Sequence, residues 1–214
     1  MNKPRGTFLA VDWTILLTII VGFSCGVGFA GDKDKPKDAQ PFHAGRAVTY
    51  AAKSSQGKVT VAVKAYERDE DLRAAFGKTP LERYGVLPVL VVIDNDGPRA
   101  VALRLRVEFI DGKNEKVYPT PPNEVQYLKT AKPPSMMDPS RQTPIPLPKR
   151  KNPLASWEVD GRAFSAKMVP AGDSVSGFFY FQASIWKDAR IVIDGLTDTA
   201  TGDPLIYFEI PLEP

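Results

Sequence analysis

Thiols and imidazoles are nearly missing from this sequence: its 214 residues hold one cysteine and one histidine. One cysteine excludes an internal disulfide framework and any cysteine-rich zinc site, and one histidine excludes a multi-histidine metal centre. A dominant charge is missing too. Lys and Arg number 28 against 25 Asp and Glu, a formal net charge of +3, which leaves no electrostatic footprint for nucleic acid. Internal repeats are absent, and no catalytic, cofactor-binding or metal-ligating constellation stands out. What is present suffices for a fold. Apolar residues make up 43% and charged residues 25%, so a core and an ordinary surface are expected and wholesale disorder is not. The length suits one domain with appendages, or at most two small domains.

The N-terminus predicts export. Lys3 and Arg5 precede an apolar run from Trp13 to Phe23, small residues follow to Gly28-Phe29-Ala30, and Gly31–Asp38 is charged. Basic, apolar, then small is the layout of a secretory signal with a cut after Ala30. The uncharged stretch Trp13–Ala30 spans 18 residues, close to the lower limit of about 17 for a spanning helix, so an uncleaved membrane anchor is the other reading. Lys3 and Arg5 hold the start of the chain in the cytoplasm in both cases. The remainder is then placed in the periplasm or envelope, secreted or anchored. Lipidation at Cys25 is a third option, although Gly22-Phe23-Ser24 departs from a lipoprotein box. Gly26-Val-Gly28-Phe-Ala-Gly31 matches a dinucleotide fingerprint, but that motif needs a strand before it and a helix after it, and here it falls in the export segment.

Residues 31–56 read as a flexible linker, and 57–214 as the folded module. Val59, Val61, Val63 and Ala65 alternate with more polar neighbours, a half-buried strand. Glu67–Phe76 has an acidic start and Gly77 as a stop, a short helix. Val86–Ile93 is apolar throughout, a strand buried on both faces with Pro88 near its start. Asp94-Asn-Asp-Gly-Pro-Arg99 carries hairpin-turn chemistry. The clearest alternation is Val101, Leu103, Leu105, Val107 and Phe109 against Ala102, Arg104, Arg106 and Glu108, a strand with one wet face. Further strands are expected from Glu115, over Ser174–Phe181, over Ala189–Ile193 and over Leu205–Ile210. Turn clusters at Pro170–Asp173, Asp194-Gly195 and Thr199–Pro204 separate them. Ala163–Val169 admits either strand or helix. The pattern predicts a mainly β chain, an antiparallel β-sandwich with a short helix.

Half of all the prolines fall in 119–153, a Pro-rich insertion with one helical turn at Asn123–Leu128 and otherwise extended, polyproline-like chain. Its Met136, Met137 and basic run Lys149, Arg150, Lys151 offer an extended or flexible apolar contact to a partner. A solvated insertion is the plainer reading. Phe178–Phe181 and Trp186 either line a pocket or pack between layers, and packing is the expectation. Trp186 is a further candidate contact. Asp94-Asn-Asp96 lacks the spaced acidic ligands and the closing glutamate of a calcium loop. His43 has no partner residue for catalysis or ligation. Ser55-Gln-Gly-Lys58 matches a Ser-x-x-Lys pair without the accompanying motifs or the helix.

Tyr84–Asn95, Val169–Phe181 and Thr201–Leu212 resemble uncharacterised bacterial cell-envelope proteins with an immunoglobulin-like sandwich. There a strand ending in Asn, a Pro-x-Gly turn before Gly-x-x-x-Phe, and a closing amphipathic strand recur. The resemblance spans residues 58–212 and implies a fold and an envelope setting, with no catalytic residue to carry over; the long insertion departs from it. The expected function is a non-enzymatic, exported module that binds another envelope protein or a cell-wall polymer. Contact would run through edge strands or the 119–153 arm, with membrane attachment through residues 13–30 if uncleaved. The alternative is a carboxylate-dependent envelope hydrolase, marked by a cleft joining two carboxylates. A lipid-surface role for Lys149-Arg150-Lys151 is a third possibility.

Overall fold

Runs that are apolar at every position and runs that alternate sort the strands into two environments. The computed structural model of the chain describes residues 42–128, 152–184, 188–205 and 207–212. In chain order the strands are β1 (Lys53–Gln56), β2 (Val59–Ala65), β3 (Leu87–Asn95), β4 (Val101–Ile110) and β5 (Lys116–Val117). They continue with β6 (Met168–Val169), β7 (Ser174–Phe181), β8 (Arg190–Asp198) and β9 (Phe208–Pro211). One antiparallel sheet has the order β1-β2-β3-β7, and the other β5-β4-β8-β9 with β6 also paired to β4. The chain is mainly β, in two antiparallel sheets with a few short helices. The export segment at residues 1–30 lies outside the described residues.

Every second side chain of β2 and β3, and the inward side chains of β4 and β8, enter one core shared by the two sheets. Val61, Val89, Val91, Ile93, Val107, Phe109, Ile191 and Ile193 belong to it. A second core lies on the other face of the first sheet. There Ala62, Leu90, Val92, Phe178 and Tyr180 meet the helices α1 (Asp69–Phe76), α2 (Pro122–Val125) and α3 (Trp157–Gly161) through Phe76, Val125 and Val159. β3 is therefore buried at every residue, as its unbroken apolar run predicts. The aromatic run of β7 splits by parity. Phe178 and Tyr180 join the helical layer, and Phe179 and Phe181 the core between the sheets. Phe178 sits edge-on to Phe76 at 4.8 Å and to Tyr66 at 4.9 Å, so these rings pack.

α1 forms where three acids, Asp69, Glu70 and Asp71, occupy the first turn, the positive end of the helix dipole. Leu72, Ala75 and Phe76 recur at helical spacing and are the buried side. The second sheet keeps one wet face, as the alternation of 101–109 requires. Arg104 and Arg106 are exposed there, and cross-strand ion pairs run along the face: Arg106–Asp194 at 2.7 Å, Lys116–Glu108 at 2.8 Å and Arg190–Glu209 at 2.8 Å. Such exposed pairs add little stability; they keep the face solvated.

Four expectations need correction. The linker assigned to 31–56 does not extend through 42–56: Ala47 is fully buried, Phe42 and Tyr50 pack on the helical layer, and β1 pairs with β2. Its apolar residues are too sparse to show a period, but the neighbouring sheet supplies a surface to cover. Asp94–Arg99 is not a hairpin turn, because β3 and β4 lie in different sheets; its turn residues serve a crossover. Asp194-Gly195 is not a turn either, and β8 runs through it. The last strand starts at Phe208 rather than Leu205. The undecided stretch Ala163–Val169 holds an isolated bridge from Ala163 to Phe178 and then β6.

Gly195 explains why a turn signal sits inside a strand. The β4–β8 register shifts between Leu103 and Arg106, so Arg104 and Leu105 face the single residue Gly195. Gly195 has φ +87°, and a Cβ there would lie 2.1 Å from the Arg104 carbonyl oxygen. This bulge also flips the phase of β8, so that Ile193 and Leu196 both point inward. Gly195→Ala is expected to lower stability in urea unfolding by about 3 kcal/mol or to abolish folding. Gly57→Ala, at φ +59° in open space, is expected to cost only about 1 kcal/mol. Equal effects would contradict the bulge as described.

Candidate functional site

β3 ends in two buried polar residues, Asp94 at 0% and Asn95 at 1% exposure. Burial of such groups requires partners, and the fold supplies them. Asp94 Oδ2 accepts from Arg46 Nε at 2.9 Å and from the Ala47 backbone N–H at 2.9 Å, and Oδ1 accepts from Ser174 Oγ at 2.6 Å. Arg46 Nη2 reaches Asp96 at 2.9 Å. The hydrogen bond that Arg46 donates to Asp94 raises its guanidinium above the ordinary pKa. Asn95 Nδ2 donates to the carbonyls of Arg99 at 2.7 Å and Pro170 at 3.0 Å, and Asn95 Oδ1 accepts from Gly97 N–H. These bonds fix the crossover between sheets and clip the 42–50 strap to it. Both Asp94 oxygens are committed, so the group holds structure together.

A cleft of about 310 Å³ opens between the strap, β2 and α1, and it contains Glu67 and Asp71. It is the place where a carboxylate pair for hydrolysis would be sought. Burial raises the Asp71 pKa, but hydrogen bonds from Lys64 Nζ at 3.0 Å and Arg68 Nη2 at 3.1 Å outweigh it, and the net shift is downward. A carboxylate so held stays ionised at neutral pH, whereas a proton-donating acid needs the opposite shift. Among the described residues, no group of three or more His, Cys, Asp or Glu side chains is placed to hold a metal ion.

A different surface carries large exposed aromatic side chains. Tyr127, 74% exposed, and Tyr118, 66% exposed, are the most exposed of the large hydrophobic side chains among the described residues. Tyr127 lines a groove of about 550 Å³ together with Pro119, Thr120, Pro121, Glu124, Leu128 and Gln182, and Tyr118 directly precedes the first of these in the chain. Its base is rigid. Thr120 N–H donates to the Tyr180 carbonyl on β7 at 2.7 Å, and Val125 N–H donates to the Pro121 carbonyl. Pro122 opens α2, where its missing N–H does no harm. Val125 beneath it is fully buried. Asn152 Nδ2 donates to the Gln126 carbonyl, which ties the returning chain to the same turn. Below, Tyr180 donates its hydroxyl to the Val159 carbonyl at 2.7 Å, and burial pushes that phenol far above its ordinary pKa.

The sheet edges offer less. The outer edge of β7 is bonded to Thr120 and to residues 162–164. β4 carries β6 and β5 at its two ends. β1 is four residues long, and its Gln56 donates to the Tyr207 carbonyl ahead of β9. Short, capped edges resist strand addition.

The sequence-derived contacts Met136, Met137, Lys149, Arg150, Lys151 and Trp186 lie outside the described residues. His43 is exposed. Ser55 lies in β1, where its hydroxyl meets Thr60 Oγ1 at 2.9 Å, and Lys58 lies in the following turn. Tyr118 and Tyr127 were not singled out by sequence reasoning. Two tyrosines bracketing Pro119-Thr-Pro-Pro122, with one helical turn between, are the signal that marks them. No protein-family model and no curated protein matches the chain.

Two substitutions test these assignments. Asp94→Ala leaves the buried Ala47 N–H without its acceptor, and is expected to lower the urea-unfolding free energy by about 1–3 kcal/mol. Asp71→Asn acts through pH. A lowered folded pKa contributes stability that is complete above the unfolded value and is lost as pH falls through the folded one. The gap between wild type and Asp71→Asn is therefore expected at neutral pH, should begin to narrow below about pH 4, and should close as pH falls through the lowered folded pKa.

Proposed function

We propose that this chain is an exported, non-enzymatic module of the cell envelope with an immunoglobulin-like fold, and that it binds another envelope protein or a cell-wall polymer. Strand connectivity supports the fold. β1, β2, β3 and β7 share one sheet while β4, β5, β6, β8 and β9 share the other, so the chain crosses between antiparallel sheets after β3, β6 and β7, as the crossovers of such sandwiches do. The layout of residues 1–30 supports export. The single observation that carries binding is the exposed Tyr127, which lines a groove on a hydrogen-bonded frame, with the exposed Tyr118 just ahead of it in the chain. Tyrosine supplies large contact area at low conformational cost, and it is enriched where binding energy concentrates. The hydrolase alternative draws no support from Asp71, whose shift runs the wrong way for a general acid.

A photo-crosslinking amino acid at position 127 in the full chain, expressed in a bacterial host with an envelope, tests this reading. A control carries it at Arg104 on the wet face of the second sheet. Adducts to an identified envelope component at 127 and not at 104, reproduced with that component purified, are the expected result. Equal labelling at both positions, or recovery of the full chain from the cytosol, overturns the proposal.

A further inference from the structure

Three loops meet at the end of the sheets where β2 begins and β3 ends: the β1–β2 turn, the crossover from β3 to β4, and the connection from β8 to β9. Between them lies a pocket of about 360 Å³, near the lower end of the roughly 300–1,000 Å³ typical of small-molecule sites. Val59 and Val101, each 5% exposed, line it and belong to the core between the sheets. Leu205 packs against the same core, and Pro98 and Pro204 complete a mainly apolar lining.

Hydrogen bonds tie the loops to one another before any ligand arrives. Asp96 N–H donates to the Lys58 carbonyl at 2.8 Å, Thr199 N–H to the Ala100 carbonyl at 3.2 Å, and Leu205 N–H to the Leu196 carbonyl at 2.8 Å. A site so framed loses little freedom on binding.

The polar residues of the lining have partners within the protein, apart from one. Gln56 donates to the Tyr207 carbonyl, and the Asn95 amide is committed inside the crossover. Arg99 pairs with Asp198 at 3.0 Å, and Asp198 also accepts from the Ala200 N–H at 2.8 Å, so that carboxylate is balanced. Lys58 is left. It is exposed, and among the described residues its ammonium has no ion-pair or hydrogen-bond partner. Asp96, whose backbone meets Lys58, turns its carboxylate to Arg46 at 2.9 Å. An apolar pocket thus carries one uncompensated positive charge at its rim. A single cation matches a monoanion; a phosphate ester, with a charge of about −1.5 to −2, would keep part of its charge unpaired beside apolar walls.

We propose that this pocket binds a small monocarboxylic acid with a compact apolar body, the body lying against Val59, Val101 and Leu205 and the carboxylate on Lys58. The inference stands apart from the Tyr127 surface, and either can fail alone.

The test is photoaffinity labelling of the full-length protein with a diazirine-bearing pentanoic acid, the labelled peptides being mapped by mass spectrometry. Labels are expected on residues 56–59, 97–101 and 204–205. Phenylbutanoate should compete, whereas its neutral amide and acetate should not, which tests charge and apolar body on the unaltered protein. Lys58→Gln should lower the labelling affinity about fivefold, with thermal unfolding unchanged. Lys113→Gln, an exposed cation beyond the far end of β4, should have no effect. Labelling elsewhere or not at all, equal competition by the amide, or indifference to Lys58→Gln overturns the proposal. So does stronger competition by phenyl phosphate, or by a short peptide with a free C-terminal leucine, which would reassign the pocket to phosphate esters or to chain ends.

Discussion

β3 has to be covered on both faces, and most of the described architecture follows from that requirement. A strand of nine residues with no exposed position cannot sit in a simple two-layer arrangement with one wet side. The second sheet covers one face. α1, α2, α3 and the strap that begins at Phe42 cover the other. β7 shares this demand, and its four consecutive aromatics are divided between the two cores by the two-residue period of the strand.

The ends of the central strand make the arrangement unique. Asp94 and Asn95 are polar side chains in a place where polar atoms are tolerated only when bonded. Their partners come from the strap, the crossover and the start of β7, segments far apart in sequence. A buried polar network of this kind discriminates between correct and near-correct packing more sharply than apolar contact does. On the wet face of the second sheet the charges are spread in pairs of opposite sign, which leaves that surface well hydrated and bland. The contrast with the tyrosine and proline surface beside α2 is chemical as well as geometric.

Strand positions were largely legible in the sequence because period and turn chemistry are local properties. Val101–Phe109, Ser174–Phe181 and α1 are the clearest instances. What was hidden is what long-range partners decide. Asp94-Asn-Asp-Gly carries the same local chemistry in a hairpin and in a crossover, and only the sheet assignment separates them. Gly195 follows an Asp, a turn signature, yet its missing Cβ serves a close approach to Arg104. The strap carries too few apolar residues to show any period, although Ala47 is wholly enclosed. For the candidate site, attention to methionines and lysines in the Pro-rich insertion passed over Tyr118 and Tyr127 at its beginning. Exposure is what distinguishes those tyrosines from core aromatics, and no local pattern encodes it.

The clip between Arg46, Ala47 and Asp94 has a mechanical meaning. Force arriving along the polypeptide from its N-terminal side meets this clip before it meets any loop, and is delivered to the tip of the most deeply enclosed strand. Tension there is resisted by several bonds acting in parallel, rather than peeled away one contact at a time. A protein tugged from that direction would hold its shape until the clip gives way, and the strap would then come off as one piece.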